Sequence, residues 1–294
     1  MPGAALACGL ATVDVVHVVE SVPGPDEKVV ARSTTVSAGG PACNASMTCA
    51  VLGVPTRFVG AVGSGPLSAV VLRDLAAHGV AVSDVAPAAF QPSLSTVLVT
   101  ESSGERAVVS HNAVGLAGRH AEAPLSASAV DAVLDGVGAV LVDGHHLPLA
   151  LAVAQGARRR GVPVLLDGGS WKPGLERLLA LVDVAVVSAA FTPPDAGSDV
   201  LADVLALGPV WVARSDGPGP VRWRSSRGRS GSVEVEPVPV VDTLGAGDVL
   251  HGALLAALAR TGLDDLAGAL AGAVAAATRS VGAPGALGWA HPDR

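Results

Sequence analysis

Two aspartates flank a cluster of small residues near the end of the chain, in the stretch VVDTLGAGDVLHGALLAAL. Asp242 and Asp248 lie six positions apart, and Gly245, Ala246 and Gly247 directly precede the second aspartate. The following residues predict an Ala/Leu helix whose first turn starts near Gly245 or Ala246. The free N–H groups and the dipole of a helix N-terminus stabilise an anion, and small residues let the anion approach the backbone. This stretch therefore predicts an anion-binding turn.

Asp248 would face the same anion, which is unfavourable unless its carboxylate has a chemical task there, such as accepting a proton. A hydroxyl that attacks a phosphoryl group fits, because the backbone amides would hold the phosphate while Asp248 accepts the hydroxyl proton. The alternative is a strand–helix turn in which an aspartate only caps the helix, because a single glycine-rich turn is weak support for a site.

Alternating strand and helix patterns must position this turn. Apolar strands are predicted at ALACGLA, RFVGAV, GAVLVDG, VPVLLDG, DVAVVSA and PVWVARS, with helical patterns between them, the first running from Pro41 to Gly53. The strand-like segment VEVEPVPVVD is expected to end at Asp242. Continuous apolar strands separated by helices indicate a Rossmann-like α/β fold, a mostly parallel sheet flanked by helices. Ligands bind such sheets beyond the carboxyl ends of the strands.

Two segments interrupt this rhythm. Residues 12–38 and 92–111 alternate polar with β-branched residues and carry turn signals at PGPDE and SSGE. Such patterns predict hairpin strands with one solvated face. We expect the two segments to pair as a small β-sheet lid inserted in a single domain that covers residues 1–294.

Composition limits the classes of function. The chain has 294 residues, of which 50% are hydrophobic, and this is enough to fill the core of one large domain. A formal net charge of −7 argues against nucleic acid or an anionic membrane surface as partners. Cys8, Cys43 and Cys49 are interpreted as buried thiols in a reducing compartment. The first residues lack a basic segment, and Asp14 interrupts their apolar run, so a cytoplasmic location is expected.

Two nucleotide-dependent classes lack their signatures here. CGLATVD, after the first predicted strand, does not supply the G-x-G-x-x-G of a Rossmann dehydrogenase. Lys28 and Lys172 are the only lysines, and neither follows the glycines of a P-loop. Both classes are therefore disfavoured.

DTLGAGD at 242–248 matches the C-terminal signature of the ribokinase/PfkB family of sugar kinases, and AGGPACNASMTCAVLG at 38–53 resembles its N-terminal glycine-pair region. Further likeness in GVPTRFVGAVGSG, LAAHGV, GERAVV and AGAVAAATRSVG extends the resemblance over nearly the whole chain. Within the family, the chain looks closest to the ketohexokinase and sulfosugar-kinase side. The resemblance implies a ribokinase-like fold with a β lid, ATP as phosphoryl donor, Mg²⁺ with the nucleotide, and a homodimer formed through the lids.

The resemblance also implies roles for single residues. Asp248 matches the catalytic base, and Gly245, Ala246 and Gly247 match the anion hole. The positions matched to sugar binding are Asp14, Gly39, Gly40, Asn44 and Asp143. The positions matched to nucleotide binding are Arg106, Asp242, Thr243 and Ser188. Structural alternatives remain for four of them: a strand-end turn for Asp14, a helix cap for Asn44, a turn for Asp143 and a solvated hairpin charge for Arg106.

The chain departs from the family pattern at two places. Ser188 and Phe191 stand where many members have an Asn-x-x-Glu motif, and GAVGSGP lacks a common acidic pair. Without the Asn-x-x-Glu motif, we expect Mg²⁺ to be held mainly by ATP phosphates and water, and the sequence assigns it no protein ligand. Without the acidic pair, the sugar specificity is expected to differ from the common ribokinase one.

Three further features are interpreted as structural. His145 and His146 are adjacent, but successive side chains point apart and no third ligand has zinc-site spacing. His251, one turn after Asp248, is interpreted as a packed or capping residue rather than a base. The basic stretch RWRSSRGR is interpreted as a solvated hairpin, with contact to an adenine ring or to phosphates as the alternative.

The sequence thus predicts ATP-dependent phosphorylation of a sugar hydroxyl, with a ketose favoured. A nucleoside kinase of the same family is one alternative. A non-catalytic sugar- or nucleotide-binding regulator on the same fold is the other, because fold does not fix function.

Overall fold

A computed structural model describes residues 3–87, 90–110, 125–194 and 196–290. The strands of the described chain are β1 (Ala4–Cys8), β2 (Thr12–Val19), β3 (Ser33–Gly39), β4 (Thr56–Gly60), β5 (Ala81–Asp84), β6 (Ser93–Thr100), β7 (Arg106–Ser110), β8 (Val137–Val142), β9 (Val164–Gly168), β10 (Val184–Val187), β11 (Trp211–Asp216), β12 (Gly219–Ser225) and β13 (Ser230–Val233). Its helices are α1 (Pro41–Val51), α2 (Pro66–Ala77), α3 (Ala127–Val133), α4 (Leu147–Arg159), α5 (Leu175–Leu179), α6 (Val200–Ala206), α7 (Ala246–Thr261) and α8 (Leu266–Ser280).

The larger sheet has the strand order β13-β12-β11-β10-β9-β8-β1-β4-β5 in the described residues. From β11 to β5 every neighbouring pair is parallel, whereas β12 and β13 add antiparallel strands at one edge. This topology confirms the predicted mostly parallel sheet. It also confirms that RWRSSRGR forms a hairpin, since β12 and β13 pair on either side of its turn.

Both faces of the larger sheet are buried. In β1, Ala5 and Ala7 belong to one apolar core, while Leu6 and Cys8 belong to a second core on the other face. Side chains alternate along a strand, so a strand covered on both faces is apolar throughout, and this is why the pattern ALACGLA indicated a buried strand. The first core is closed mainly by α1, α2, α7 and α8, and the second by α4 and α5.

Close packing of α1 against α7 brings two distant parts of the chain together. A Cβ added to Gly252 of α7 would lie 2.5 Å from the carbonyl oxygen of Ala45 and 2.7 Å from Cβ of Thr48 in α1. Such distances leave no room for a side chain, so glycine at this position lets the two helices approach closely. The N-terminal halves of α1 and α7 thereby lie side by side.

The smaller sheet has the order β3-β2-β6-β7. β2 pairs antiparallel with β3 and parallel with β6, and β6 pairs antiparallel with β7. The prediction that 12–38 and 92–111 pair with each other is therefore confirmed, except that His111 lies outside the described residues. A lid function for this sheet, and the single domain over 1–294, stay predictions.

One predicted strand is wrong. VEVEPVPVVD was expected to be a strand up to Asp242, but β13 ends at Val233, and residues 234–242 have no regular structure. Pro237 and Pro239 explain the difference, because proline lacks the N–H that a sheet ladder requires.

The three cysteines are buried and unpaired, as the sequence indicated. Burial raises the pKa of the Cys49 thiol to about 11, and burial likewise raises the pKa values of Cys8 and Cys43. These thiols therefore stay protonated and behave as small apolar side chains. Among the described residues, no helix combines the length and the apolar character needed to cross a membrane.

Candidate active site

The turn before α7 is fixed by a buried aspartate. Asp242 accepts a hydrogen bond from the backbone N–H of Leu244 and another from that of Gly285, each at 2.8 Å. Both carboxylate oxygens are thus engaged by the backbone, which gives Asp242 a structural role at this turn. Its predicted contact with a nucleotide stays a prediction.

Two glycines in this turn have different structural roles. Gly245 has φ 77°, in the left-handed region that favours glycine, and a Cβ there would overlap Ala286. A Cβ added to Gly247 would meet no atom within 4 Å. α7 begins at Ala246 without a side-chain cap, and the Ala246 N–H makes only a long bond of 3.4 Å to the carbonyl oxygen of Thr243, so the N–H groups of this first turn are largely left for another acceptor. The turn therefore borders open space in the way that an anion hole requires.

Asp248 lies at this helix start and is partly buried. Its Oδ2 accepts a hydrogen bond of 2.7 Å from Nδ2 of Asn44, which α1 brings alongside α7. The pKa of the Asp248 carboxyl is raised to about 7, mainly by burial and next by the negative charge of Asp167, against the opposing effects of the Asn44 hydrogen bond and the charge of His251. A carboxylate with such a pKa is suited to take up a proton near neutral pH.

Asp14 and the glycine pair lie together, as predicted. Asp14 accepts a hydrogen bond of 2.8 Å from the Thr12 hydroxyl, and burial raises the pKa of its carboxyl. A Cβ on Gly39 would overlap the Asp14 carboxylate, and a Cβ on Gly40 would lie 2.5 Å from the carbonyl oxygen of Leu10. The negative charge of Asp14 also raises the pKa of Asp248, which places the two carboxylates in one electrostatic environment. The proposed sugar contacts therefore adjoin the proposed base.

Asp143 is held by the backbone. Its Oδ2 accepts from the N–H of Leu10 at 2.8 Å and of Ala42 at 3.2 Å, and its Oδ1 accepts from the N–H of His145 at 2.9 Å. The side chain is 2% exposed. These contacts join the ends of β1 and β8 to the start of α1 and give Asp143 a structural role. A sugar contact by this residue stays a prediction.

The smaller sheet reaches the anion-binding turn through Arg106. Nη1 of this arginine, the first residue of β7, donates a hydrogen bond of 3.0 Å to the carbonyl oxygen of Thr243. The two predicted nucleotide contacts are therefore adjacent to each other and to the start of α7.

Ser188 and Phe191 follow β10, at the positions where many family members have the Asn-x-x-Glu motif, and neither offers a carboxylate to a metal ion. The Ser188 hydroxyl donates to the carbonyl oxygen of Gly169 at 2.6 Å and accepts from the N–H of Ala190 at 3.1 Å. Phe191 is fully buried, with its ring edge-on to Trp171 at 5.5 Å between centroids. Within the described ranges there is no group of three or more His, Cys, Asp or Glu side chains able to hold a metal ion. These residues do not fit a protein-built Mg²⁺ site, so Mg²⁺ carried by ATP phosphates stays a prediction.

Two buried residues beneath Asp248 complete the site. His251, which the sequence indicated as a packed residue, lies with its Nδ1 3.3 Å from Oδ2 of Asp167. Sequence reasoning missed Asp167. A usable signal was present, because Asp167 lies at the carboxyl end of a parallel strand, where ligand sites of open α/β sheets are built.

The sequence model of the pfkB family carbohydrate kinases matches residues 4–290. The chain belongs to this family. Membership of the pfkB family confirms the kinase family identified from DTLGAGD and from the glycine pair. The observed architecture, a large mostly parallel sheet with a small second sheet, is the one that the family resemblance implied.

Several kinases resemble this pfkB family member. Ribokinase from Arabidopsis thaliana is 29% identical over 182 residues, which is 60% of this chain and 47% of that protein, so the chain spans about half the length of this curated relative. A candidate ribokinase from Agrobacterium tumefaciens has a crystal structure with 26% identity and a TM-score of 0.81, covering 98% of this chain and 94% of that one.

Two further structures contain nucleotide. Arabidopsis thaliana ribokinase complexed with ribose and ATP has 22% identity and a TM-score of 0.77, covering 98% of this chain and 96% of that one. A fructokinase from Xylella fastidiosa with bound ATP has 21% identity and a TM-score of 0.77, covering 98% and 95%. At these identities the likeness shows the fold, and the predicted ribokinase-like architecture is confirmed.

Proposed function

We propose that this chain transfers the γ-phosphoryl group of ATP to a hydroxyl of a sugar, with Asp248 as the general base. One observation carries the proposal: a carboxyl with a pKa of about 7 lies at the uncapped start of α7, with one oxygen held by Asn44. A carboxyl with a pKa near neutrality is partly charged at neutral pH, and its charged form can accept a proton there.

The proposed step is an in-line transfer in which residues of this chain hold the phosphoryl group and accept the proton. The sugar hydroxyl oxygen attacks the γ-phosphorus, the bond from that phosphorus to the β–γ bridging oxygen breaks, and ADP leaves. The hydroxyl proton passes to Oδ1 of Asp248, which receives no hydrogen bond from any described residue, whereas Oδ2 is occupied by Asn44. The N–H groups of 245–247 stabilise the charge on the transferred phosphoryl group.

Asp14, Gly39, Gly40 and Asn44 form the proposed sugar site. A carboxylate and an amide can each bind two hydroxyls, which suits a polyol. The ribose and the ATP bound to relatives of the same fold support a sugar acceptor and ATP as donor. A ketose is the favoured acceptor, on the resemblance to ketohexokinases.

An ADP-release assay over a panel of acceptors tests the proposed function. The panel contains ketoses, aldoses, deoxy and sulfonated sugars, and nucleosides. Turnover of a sugar, with a ketose preferred, supports the proposal. Turnover of adenosine or another nucleoside alone would assign a nucleoside kinase, and binding of sugar or nucleotide without ADP release would assign a regulator.

The smaller sheet is proposed to act as a lid that excludes water until the sugar is bound. Replacing Arg106 with alanine removes its hydrogen bond to Thr243. We expect a lower kcat and weaker use of ATP, with sugar binding in the absence of nucleotide retained. Arg32→Ala is the matched control, because Arg32 is an exposed arginine next to the same sheet whose ion pairs to Glu20 and Glu101 are 3.7 and 3.6 Å long. Equal kinetics in the two variants would argue against the role of Arg106.

A homodimer formed through the lids is also proposed. The register puts Val36, Val15, Thr96 and Val109 in one row across the smaller sheet. Because side chains alternate along strands, this face is opposite to the one that carries Asp14 and Arg106. Val36 and Val109 are 44% and 75% exposed.

Burial of this apolar face against a second copy would explain why it is not polar. We expect sedimentation to show a dimer of the intact chain and a shift towards monomer in Val109→Lys. A monomeric parent chain at micromolar concentration would contradict the proposal.

A further inference from the structure

His251 is a buried histidine whose two ring nitrogens both meet carbonyl oxygens. Nδ1 lies 2.7 Å from the oxygen of Gly247, and Nε2 lies 3.1 Å from the oxygen of Val186 in β10. A carbonyl oxygen only accepts hydrogen bonds, so each nitrogen must carry a proton to make its contact. Both contacts are hydrogen bonds at once only when the ring is an imidazolium.

Asp167 supplies the opposite charge. Its Oδ2 lies 3.3 Å from Nδ1 of His251, and the two side chains are each 7% exposed. This oxygen is buried and receives no hydrogen bond from the described residues, so the neighbouring positive charge is what compensates it. Burial raises the pKa of the Asp167 carboxyl, and the charge of His251 lowers it.

Other charged groups act on the same pair. Asp143, at the end of β8, raises the pKa of Asp167, and Lys172, in the loop after β9, lowers it. The pKa of Asp248 itself is raised by the charges of Asp167 and Asp14 and lowered by the charge of His251. A positive charge on His251 thus opposes the negative charges of the carboxylates around the proposed base.

The position of His251 links this pair to the anion-binding turn. Residues three apart on a helix are neighbours, so the ring lies next to Asp248. Its hydrogen bond to Gly247 holds the carbonyl of a residue whose N–H belongs to the proposed anion hole. The bond to Val186 and the contact with Asp167 tie the same ring to β10 and β9.

We propose that the His251–Asp167 ion pair is a positioning unit that fixes the first turn of α7 and sets the pH at which Asp248 gives up its proton. The proposal rests on the proposed function, since it concerns the same base. It assigns control of the proposed base to a histidine and an aspartate whose observed contacts are with each other and with the backbone.

The two members of the pair act on Asp248 with opposite signs. His251→Gln removes a positive charge and leaves Asp167 uncompensated, so protonated Asp248 is favoured. Asp167→Asn removes a negative charge, so charged Asp248 is favoured. The acid limb of the pH profile of kcat/KM is therefore expected to move to higher pH in the first variant and to lower pH in the second, by roughly 0.5 pH or more, a threefold change in rate on the limb.

His78→Gln is the matched control, because His78, the C-cap residue of α2, contacts the carbonyl oxygen four residues before it in the same way. Its profile is expected to coincide with that of the parent chain. A purely structural role for the pair would lower the rates without moving the limb. Limbs that stay in place, or that move in the same direction in both variants, would overturn the proposal.

A second measurement needs neither substrate nor a folded variant. Nitrogen-15 NMR of the intact chain at neutral pH, with the His251 ring assigned through Leu250 and Gly252, is expected to show both ring nitrogens protonated. A ring with one unprotonated nitrogen would overturn the proposal, whatever Asp248 does. Full activity of Asp248→Asn would instead overturn the proposed function and leave the NMR result unchanged, so the two failures are distinguishable.

Discussion

Replacing Asp248 with asparagine is expected to lower kcat by about 10²–10⁴ while ATP and sugar still bind within a few fold of the parent affinity. Asparagine cannot accept the hydroxyl proton, but its carbonyl oxygen can still accept the Asn44 hydrogen bond. Rates come from ADP release and affinities from calorimetry. Asp264→Asn, an exposed aspartate just beyond the far end of α7, is the control and should keep parent activity. More than ~10% residual activity in Asp248→Asn would exclude the base.

The same substitution is expected to stabilise the fold at alkaline pH. Because burial raises the pKa of Asp248 from 3.8 to about 7 in the folded chain, its contribution to stability is full below pH 4 and is lost as the pH rises through 7. Asp248→Asn removes this loss, so its Tm should exceed that of the parent at pH 8 and equal it near pH 4. A lower Tm at pH 8 would show that the charged form is the one that the fold favours.

Replacing Gly247 with leucine is expected to lower kcat/KM for ATP by ~10² or more without destabilising the protein. A side chain at this position enters the open space at the start of α7, where the phosphoryl group is proposed to bind. Because leucine is a better helix former than glycine, the free energy of unfolding is not expected to fall. ATP affinity and kinetics would be measured together with the Tm.

Gly272→Leu is the matched control for this substitution. Gly272 is an exposed glycine in α8, and a Cβ there also meets no atom within 4 Å. Both variants should therefore show a parent-like or higher Tm, and only Gly247→Leu should lose activity. Unchanged ATP kinetics in Gly247→Leu would contradict an anion hole at this turn.

The sheet and its layers were predictable because each strand pattern is local. ALACGLA, and GAVLVDG up to Val142, are apolar on every residue, and only a strand buried on both faces requires that. The strand expected before Asp242 is absent because Pro237 and Pro239 interrupt the alternating apolar pattern. The chain there lacks the donors for a ladder, and it runs irregularly into the turn.

The site was predictable where one motif carries it and not where packing does. Gly245, Ala246, Gly247 and Asp248 all belong to one motif of seven consecutive residues that starts at Asp242, so the sequence alone identifies them. The contact of Asn44 with Asp248 depends on how closely Gly252 lets α7 approach α1, and that distance is a property of the folded core. The place of Asp167 at the carboxyl end of β9 is visible in VPVLLDG, but its contact with His251 depends on how α7 packs on the sheet, which no local pattern displays.

Transfer of phosphate from ATP to a sugar is the central claim, and phosphorus-31 NMR tests it most directly. The intact chain, ATP with Mg²⁺ and a mixture of ketoses and aldoses should give a new phosphomonoester signal that grows as ADP forms. Asp248→Asn should form it at least ~10²-fold more slowly. A phosphomonoester that forms equally fast in both proteins, or ATP consumption that yields only inorganic phosphate, would contradict the account.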